Sequence, residues 1–208
     1  VVAASCKHID LWMTGPFHAI GILRHNLAAS GFGLCAAEST PTNWRSGGTL
    51  DVIRGLGMRL GMDVIRVPGA TGYLDTDYEG KAQAAIEAIR DHELVYLHVE
   101  AIDEVSHARD LALKLQAIEA FDSRIVQPVL RACGRQVRYA VLPDHPVPVR
   151  FGVHTRTPVP VALCGPGLAR DAVETFDELA APCGALGALF GPELMEYLFG
   201  NPEEDVGG

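Results

Sequence analysis

The chain has 208 residues, 48% of them hydrophobic and 21% charged, which fits a globular protein with one sizeable core and excludes a disordered or low-complexity polypeptide. Lys and Arg number 17 against 26 Asp and Glu, a formal charge of −9, which argues against binding nucleic acid, whose backbone demands a basic face. A small anionic ligand stays compatible, because local Arg or metal charge overrides the global sign.

No run of residues reaches the roughly 18 apolar positions of a membrane span, and no basic-then-apolar leader is legible, so no membrane association is expected. The five cysteines (Cys6, Cys35, Cys133, Cys164, Cys183) are odd in number and never form C-x-x-C. That pattern predicts a reducing, cytoplasmic location rather than a disulfide framework.

Residues 1–48 are apolar without a clean period, then rich in small residues and turn formers. Short strands are expected there, without assignable bounds. His8, His18 and His25 have no partner at metal-ligand spacing and read as ordinary histidines. From residue 49 the pattern sharpens. TLDVIRGLGMRLG spaces Leu50, Ile53, Leu56 and Leu60 as a short helix, with Gly61 as its stop. MDVIRVPG is a β-branched strand closed by Pro68 and Gly69. The G-A-T-G of residues 69–72 has no phosphate-loop Lys and Ser after it and reads as a turn. An Ala-rich helix follows, capped by Thr76 or Asp77, with Glu79 and Glu87 available to Lys81 and Arg90. LVYLHVEA is a buried strand, residues 109–131 a long helix, VRYAVL and PVPVALCG further strands, and PELMEYLFG a last short helix. Strands and helices in alternation predict an α/β layer fold with a largely parallel sheet flanked by helices.

The chemistry concentrates in residues 98–154. Asp103 and His107 stand four apart, Asp144 and His145 are adjacent, and His154 follows after a short loop. Both acidic-histidine clusters follow strands, and in an open α/β sheet ligands gather beyond the carboxyl ends of strands. Carboxylate oxygen with neutral imidazole suits Mn or Zn better than a thiolate site would. A lone D-x-x-x-H is common, and Asp-His before Pro146 also reads as a simple turn; the convergence of three segments makes the metal reading. His98, inside a strand, reads as a core histidine, and Glu100 and Glu104 as candidates to orient the ligating histidines.

HVEAIDEVSHARDLALKLQAIEAFD, LPDHPVPV and the His154-Thr155 pair, with GMDVIRVPGATGYLDTDYEGKAQAA upstream, resemble the archaeal-type cofactor-independent phosphoglycerate mutases of the alkaline phosphatase superfamily. The resemblance covers residues 50–165 well and the C-terminus loosely. It implies a three-layer alkaline-phosphatase-like fold and an isomerase of glycolysis. Such an enzyme interconverts 3-phosphoglycerate and 2-phosphoglycerate through a phosphoserine, with two divalent ions, Mn or Zn, Mg being a third option. Asp103, His107 and His154 would bind one ion, and Asp144 and His145 the other. In the family that second ion also takes a carboxylate and a serine nucleophile from segments ahead of the matched region. Neither is recognisable here; Ser5, Ser30, Ser39 and Ser46 lack the context, and Ser106 and Thr155 are only neighbours of ligands. The expectation is therefore that residues 49–208 are the C-terminal part of the metal-binding domain. Residues 1–48 would then be a remnant of an inserted or linker region, and the rest of the site would come from a missing N-terminal portion; a homo-oligomer is the other partner expectation. Arg150 and Arg156 flank the histidine loop as phosphate contacts. Lys114 matches a recurrent family lysine and equally reads as a solvated helix residue. The alternatives on the same scaffold are a homoserine-kinase-like phosphotransferase and a catalytically silent, metal-stabilised partner subunit.

Overall fold

A computed structural model describes residues 19–25, 32–37, 53–54 and 57–199. Its six strands are β1 (Ala19–His25), β2 (Phe32–Ala37), β3 (Asp63–Val67), β4 (Leu94–Val99), β5 (Val137–Leu142) and β6 (Ala162–Cys164). They form one sheet in the order β3-β2-β4-β1-β5-β6. β2 pairs parallel with β3 and β4, whereas β1 runs antiparallel to β4 and β5, and β6 antiparallel to β5. The expected largely parallel sheet is therefore corrected to a mixed one. The strands read clearly from the sequence, β3, β4 and β5, do share one direction; the antiparallel pairings come from β1, in the poorly periodic stretch, and from the short edge strand β6.

That arrangement sets up the functional edge. β4 and β5 flank β1 and point the same way, with Ala19 opposite Val99 and Ile20 opposite Leu142. The carboxyl ends of β4 and β5 thus come out side by side, separated by one strand.

Alternation along the strands feeds two apolar clusters. Val95, Leu97 and Val99 of β4 and Val137, Tyr139 and Val141 of β5 join one cluster with residues of the helices that precede and follow β4. Leu94, Ala140 and Leu163 join the other, with Leu194 and Leu198. Period-two side-chain direction is what lets one strand serve both. Helix α1 (Tyr78–Ala88) buries Tyr78, Lys81, Ala82, Ala85 and Ala88. Its cap is Asp77, whose carboxylate accepts from Gly80 N at 2.9 Å, while Thr76 Oγ1 accepts from Thr71 N and folds the preceding loop. The anticipated helix-surface ion pairs are not formed. Lys81 lies on the buried face and donates to His98 O. Glu79 accepts from Nε and Nη2 of Arg124, 45 residues away, and Glu87 accepts from Gln83.

The long helix expected over residues 109–131 is present over 111–133, with a π-helical turn inside it. A short α2 (Ala101–His107) precedes α3 (Leu111–Phe121), a π-helical turn (Asp122–Val126) and α4 (Gln127–Cys133). Pro128 explains the widening: it offers no N–H and its ring crowds the carbonyl one turn back. Asp110 caps α3 by accepting from Leu113 N. A helical turn at residues 57–59 ends at Gly61, whose φ of 74° serves as the glycine stop. The last helix, α5, spans Gly191–Phe199. Among the described residues no helix is long and apolar enough to cross a membrane, and Cys133, Cys164 and Cys183 are free thiols.

His92 ties β3 to the end of α1: Nδ1 lies 2.9 Å from Ala88 O and Nε2 3.1 Å from Asp63 Oδ2. Both partners are acceptors, so the ring donates twice only as imidazolium. Burial alone would push its pKa down, but these hydrogen bonds and the charges of Asp63 and Asp91 outweigh it and hold the value above 6.5. A raised histidine pKa stabilises fully below its unfolded value of about 6.5 and loses that contribution as pH rises through the folded pKa. Asp63 is 80% exposed, so screening keeps the effect below about 1 kcal/mol. Urea unfolding of wild type and His92→Gln should therefore differ at pH 5.5 and converge by pH 8.5; a difference independent of pH would sink this account.

Candidate metal centre

β4 is buried over most of its length and delivers the chain into α2 at the sheet edge. A spacing of four puts Asp103 and His107 on one helix face, and Nε2 of His107 lies 3.3 Å from Asp103 Oδ2. Asp103 is only 5% exposed. β5 ends at Leu142, and two residues later Asp144 and His145 follow, with 3.4 Å between Asp144 Oδ2 and His145 Nε2. Asp144 Oδ1 also accepts from the His145 backbone N–H, which fixes the turn. His154 returns to the same place. Its ring stacks on His145 with centroids 3.7 Å apart, and its Nε2 lies 3.1 Å from His107 Nε2 and 3.9 Å from Asp103 Oδ1. Asp103, His145 and His154 each offer a donor atom within 4.8 Å of the others.

Protonation decides what this cluster wants. His107 Nδ1 lies 2.9 Å from Gly152 O, and a carbonyl oxygen only accepts, so Nδ1 carries the hydrogen. In the neutral ring Nε2 is then a lone pair, and it faces another imidazole nitrogen and a carboxylate oxygen. A lone pair and a carboxylate turned toward one point, with a second imidazole nitrogen beside them, form a donor set that a divalent cation can fill. Metal bonds of about 2.0–2.2 Å at tetrahedral or octahedral angles set ligand atoms roughly 2.8–3.6 Å apart, and the 3.1 and 3.3 Å separations fall in that range. The donor set, carboxylate plus imidazole with no thiolate, fits a borderline divalent ion.

All five residues read as ligands from the sequence come together here, as one continuous group. The other candidates sit differently. Ser106 turns back to Ile102 O at 2.6 Å. Thr155 Oγ1 lies near Thr157 Oγ1. His98 is fully buried and forms part of the core. Arg150 is exposed and lies over the Phe151 ring, and Arg156 is exposed. Lys114 is not solvated: it is 3% exposed, and Nζ donates to Val147 O at 3.1 Å. Burial pushes its pKa down to about 8, against the opposing pull of Glu178 and Asp103. Arg109, which sequence reasoning passed over, has φ 60° and donates Nη2 to Phe151 O at 2.8 Å. Its strained backbone has no sequence signal, because the residue expected at such a position is glycine. Of the histidines read as ordinary, His25 lies in β1 opposite Val137; His8 and His18 lie outside the described residues.

A sheet edge that gathers carboxylates and imidazoles from the ends of two like-directed strands defines an α/β metal-binding protein. The chain belongs to the Metalloenzyme superfamily, whose sequence profile matches residues 48–198. Divalent-metal binding goes with that membership, and the motif resemblance points the same way. A 2,3-bisphosphoglycerate-independent phosphoglycerate mutase of Methanosarcina acetivorans is 48% identical over 153 residues, 72% of this chain and 38% of that protein. One of the same name from Methanothrix thermoacetophila is 45% identical over 152 residues, 72% of this chain and 39% of the relative. The chain therefore spans about two fifths of the length of these curated relatives. The solved structure of the PH0037 protein from Pyrococcus horikoshii superposes with a TM-score of 0.74 at 26% identity, covering 88% of this chain and 55% of that one.

Proposed function

We propose that this chain supplies the metal-binding part of a 2,3-bisphosphoglycerate-independent phosphoglycerate mutase, which interconverts 3-phosphoglycerate and 2-phosphoglycerate through a phosphoserine. The observation that carries the reading is the meeting of His107 Nε2, His154 Nε2 and Asp103 Oδ2 at 3.1 and 3.3 Å, in a chain 48% identical to a protein of that name. In this reading residues 49–208 are the C-terminal part of a three-layer, alkaline-phosphatase-like domain of a cytoplasmic enzyme.

Asp103, His107 and His154 would hold one divalent ion, Mn or Zn, and Asp144 and His145 a second. Such ions neutralise charge on the phosphoryl oxygens and lower the pKa of an attacking hydroxyl. The chain's own residues prepare the site. The Gly152 carbonyl holds His107 in the tautomer that presents Nε2 inward. The adjacent Asp144 carboxylate restrains His145. Arg150 and Arg156, exposed and near the cluster in sequence, would bind the substrate's phosphate by charge-assisted hydrogen bonds. The nucleophilic serine would come from outside this chain's recognised motifs.

The test is conversion of 3-phosphoglycerate by the natural polypeptide that carries this sequence, loaded with Mn²⁺ and given no bisphosphoglycerate. Formation of 2-phosphoglycerate is expected, and it should disappear in His107→Ala. A metal-loaded protein that leaves phosphoglycerate untouched but phosphorylates homoserine from a nucleotide would move the assignment to that activity.

A further inference from the structure

The ligands of the cluster sit on two supports of different kinds. Asp103 and His107 ride on helix α2. Asp144, His145 and His154 lie between Leu142 and Ala162, where the chain has no helix or strand. The segment between His145 and His154 closes on itself, with Thr155 N donating to Pro146 O and Phe151 and Gly152 N both donating to Pro148 O. Those bonds shape the loop but do not locate it against α2.

Three side chains do, all from residues 107–114. His107 Nδ1 bonds Gly152 O at 2.9 Å, Arg109 Nη2 bonds Phe151 O at 2.8 Å, and Lys114 Nζ bonds Val147 O at 3.1 Å. Two of them sit at conformational or solvation cost. Arg109 has the only positive φ of a non-glycine residue among those described, a left-handed position where glycine is the unstrained choice. Lys114 is a buried ammonium, and burial disfavours charge. The loop is shaped to receive the first: Gly152 has φ 64°, and a Cβ there would stand 2.7 Å from Arg109 Nε. A left-handed arginine thus lies across a left-handed glycine two residues before His154. The left-handed angle also closes α2, with Arg109 N donating to Ser106 O and Asp110 N to Val105 O, but the side chains of Arg109 and Lys114 both end on the loop that carries the other ligands.

We propose that Arg109 and Lys114 are positioning residues, a pair of cationic braces that hold the 145–154 loop at the distance from α2 at which both ligand sets meet one metal centre. The proposal rests on the metal reading above. Outer-sphere partners that orient ligands change metal affinity by about 10–100-fold when removed, and the braces belong in that range.

Arg109→Gly separates positioning from mere stability, because glycine relieves the left-handed strain while deleting the brace. Mn²⁺ titration followed by electron paramagnetic resonance should show its dissociation constant raised about tenfold over wild type, with a thermal midpoint of the metal-free protein no lower than wild type. Arg109→Lys, which keeps a donor able to reach Phe151 O, should recover part of the affinity. Lys114→Met should weaken Mn²⁺ in the same direction, and the Co²⁺ absorption bands of both variants should shift. Arg109→Gly binding Mn²⁺ within twofold of wild type, with unchanged Co²⁺ bands, overturns the brace and leaves the metal site standing. Wild-type protein that binds no Mn²⁺, Co²⁺ or Zn²⁺ overturns both.

Discussion

Asp103→Asn should abolish the rise in thermal midpoint that Mn²⁺ or Zn²⁺ gives the wild-type protein, while leaving the metal-free protein at least as stable as before. Asp103 is the buried charge of the cluster, 5% exposed, with its oxygens 3.3 Å from His107 Nε2 and 3.9 Å from His154 Nε2. Asparagine has the same shape but no charge, and its amide N–H can donate to a facing imidazole lone pair. The substitution therefore removes a buried charge without changing the shape of the site. Loss of an ordering partner outside the coordination sphere already costs 10–100-fold in affinity, and loss of the anionic ligand itself should exceed that. At a free-metal concentration 100 times the wild-type dissociation constant, binding adds about 2.7 kcal/mol to stability; the variant should gain almost none of it. Scanning calorimetry with and without metal reads the difference directly. An equal upward shift in Asp103→Asn would remove Asp103 from the ligand set.

The site was legible because its grammar is local. Asp103 and His107 declare a shared face by spacing, Asp144 and His145 by adjacency, and the strands before them by runs of apolar, β-branched residues. β5 was read to its ends for that reason. What sequence could not show depends on distant partners. Nothing within residues 19–25 states that this strand will lie antiparallel between β4 and β5; direction belongs to the connections and not to the strand. Glu79 meets Arg124 across a separation of 45 residues.

Two misreadings did have signals. Lys114 precedes Ala117, Ile118 and Phe121 at helical spacing, and those residues form the buried stripe of α3. A lysine in register with such a stripe is a buried lysine, whose ammonium must find a carbonyl or carboxylate. Lys81, in step with Tyr78, Ala82 and Ala85, has the same signature. Pro128 likewise marked the place where one long helix had to widen. Arg109 is different: it stands at the left-handed residue that closes α2, where the glycine that would mark such an end is absent.

Arg138→Met should cost about 1.5–3 kcal/mol of unfolding free energy, in the range for losing a hydrogen bond to a charged group and leaving a buried carbonyl without its donor. Arg138 lies within β5 at 7% exposure. Its Nε donates to Pro166 O at 2.8 Å, and its Nη1 to Tyr197 O at 2.9 Å and Leu198 O at 3.3 Å. The last two carbonyls are at the C-terminal end of α5, where the helix has no donors of its own and where its dipole favours a cation. Methionine keeps the apolar stem and leaves these acceptors in a water-poor place without the guanidinium. A domain stable by about 5–15 kcal/mol would lose a large share of its margin, and α5 with its buried Leu194 and Leu198 should detach first. The metal centre should not notice. Arg138 is six residues before Asp144, roughly 20 Å along an extended strand. Urea unfolding should thus show the loss, while Mn²⁺ affinity at low temperature, where the variant is folded, stays within twofold of wild type. A loss below about 1 kcal/mol would mean that water replaces the guanidinium at those carbonyls, and that α5 is held by apolar packing alone.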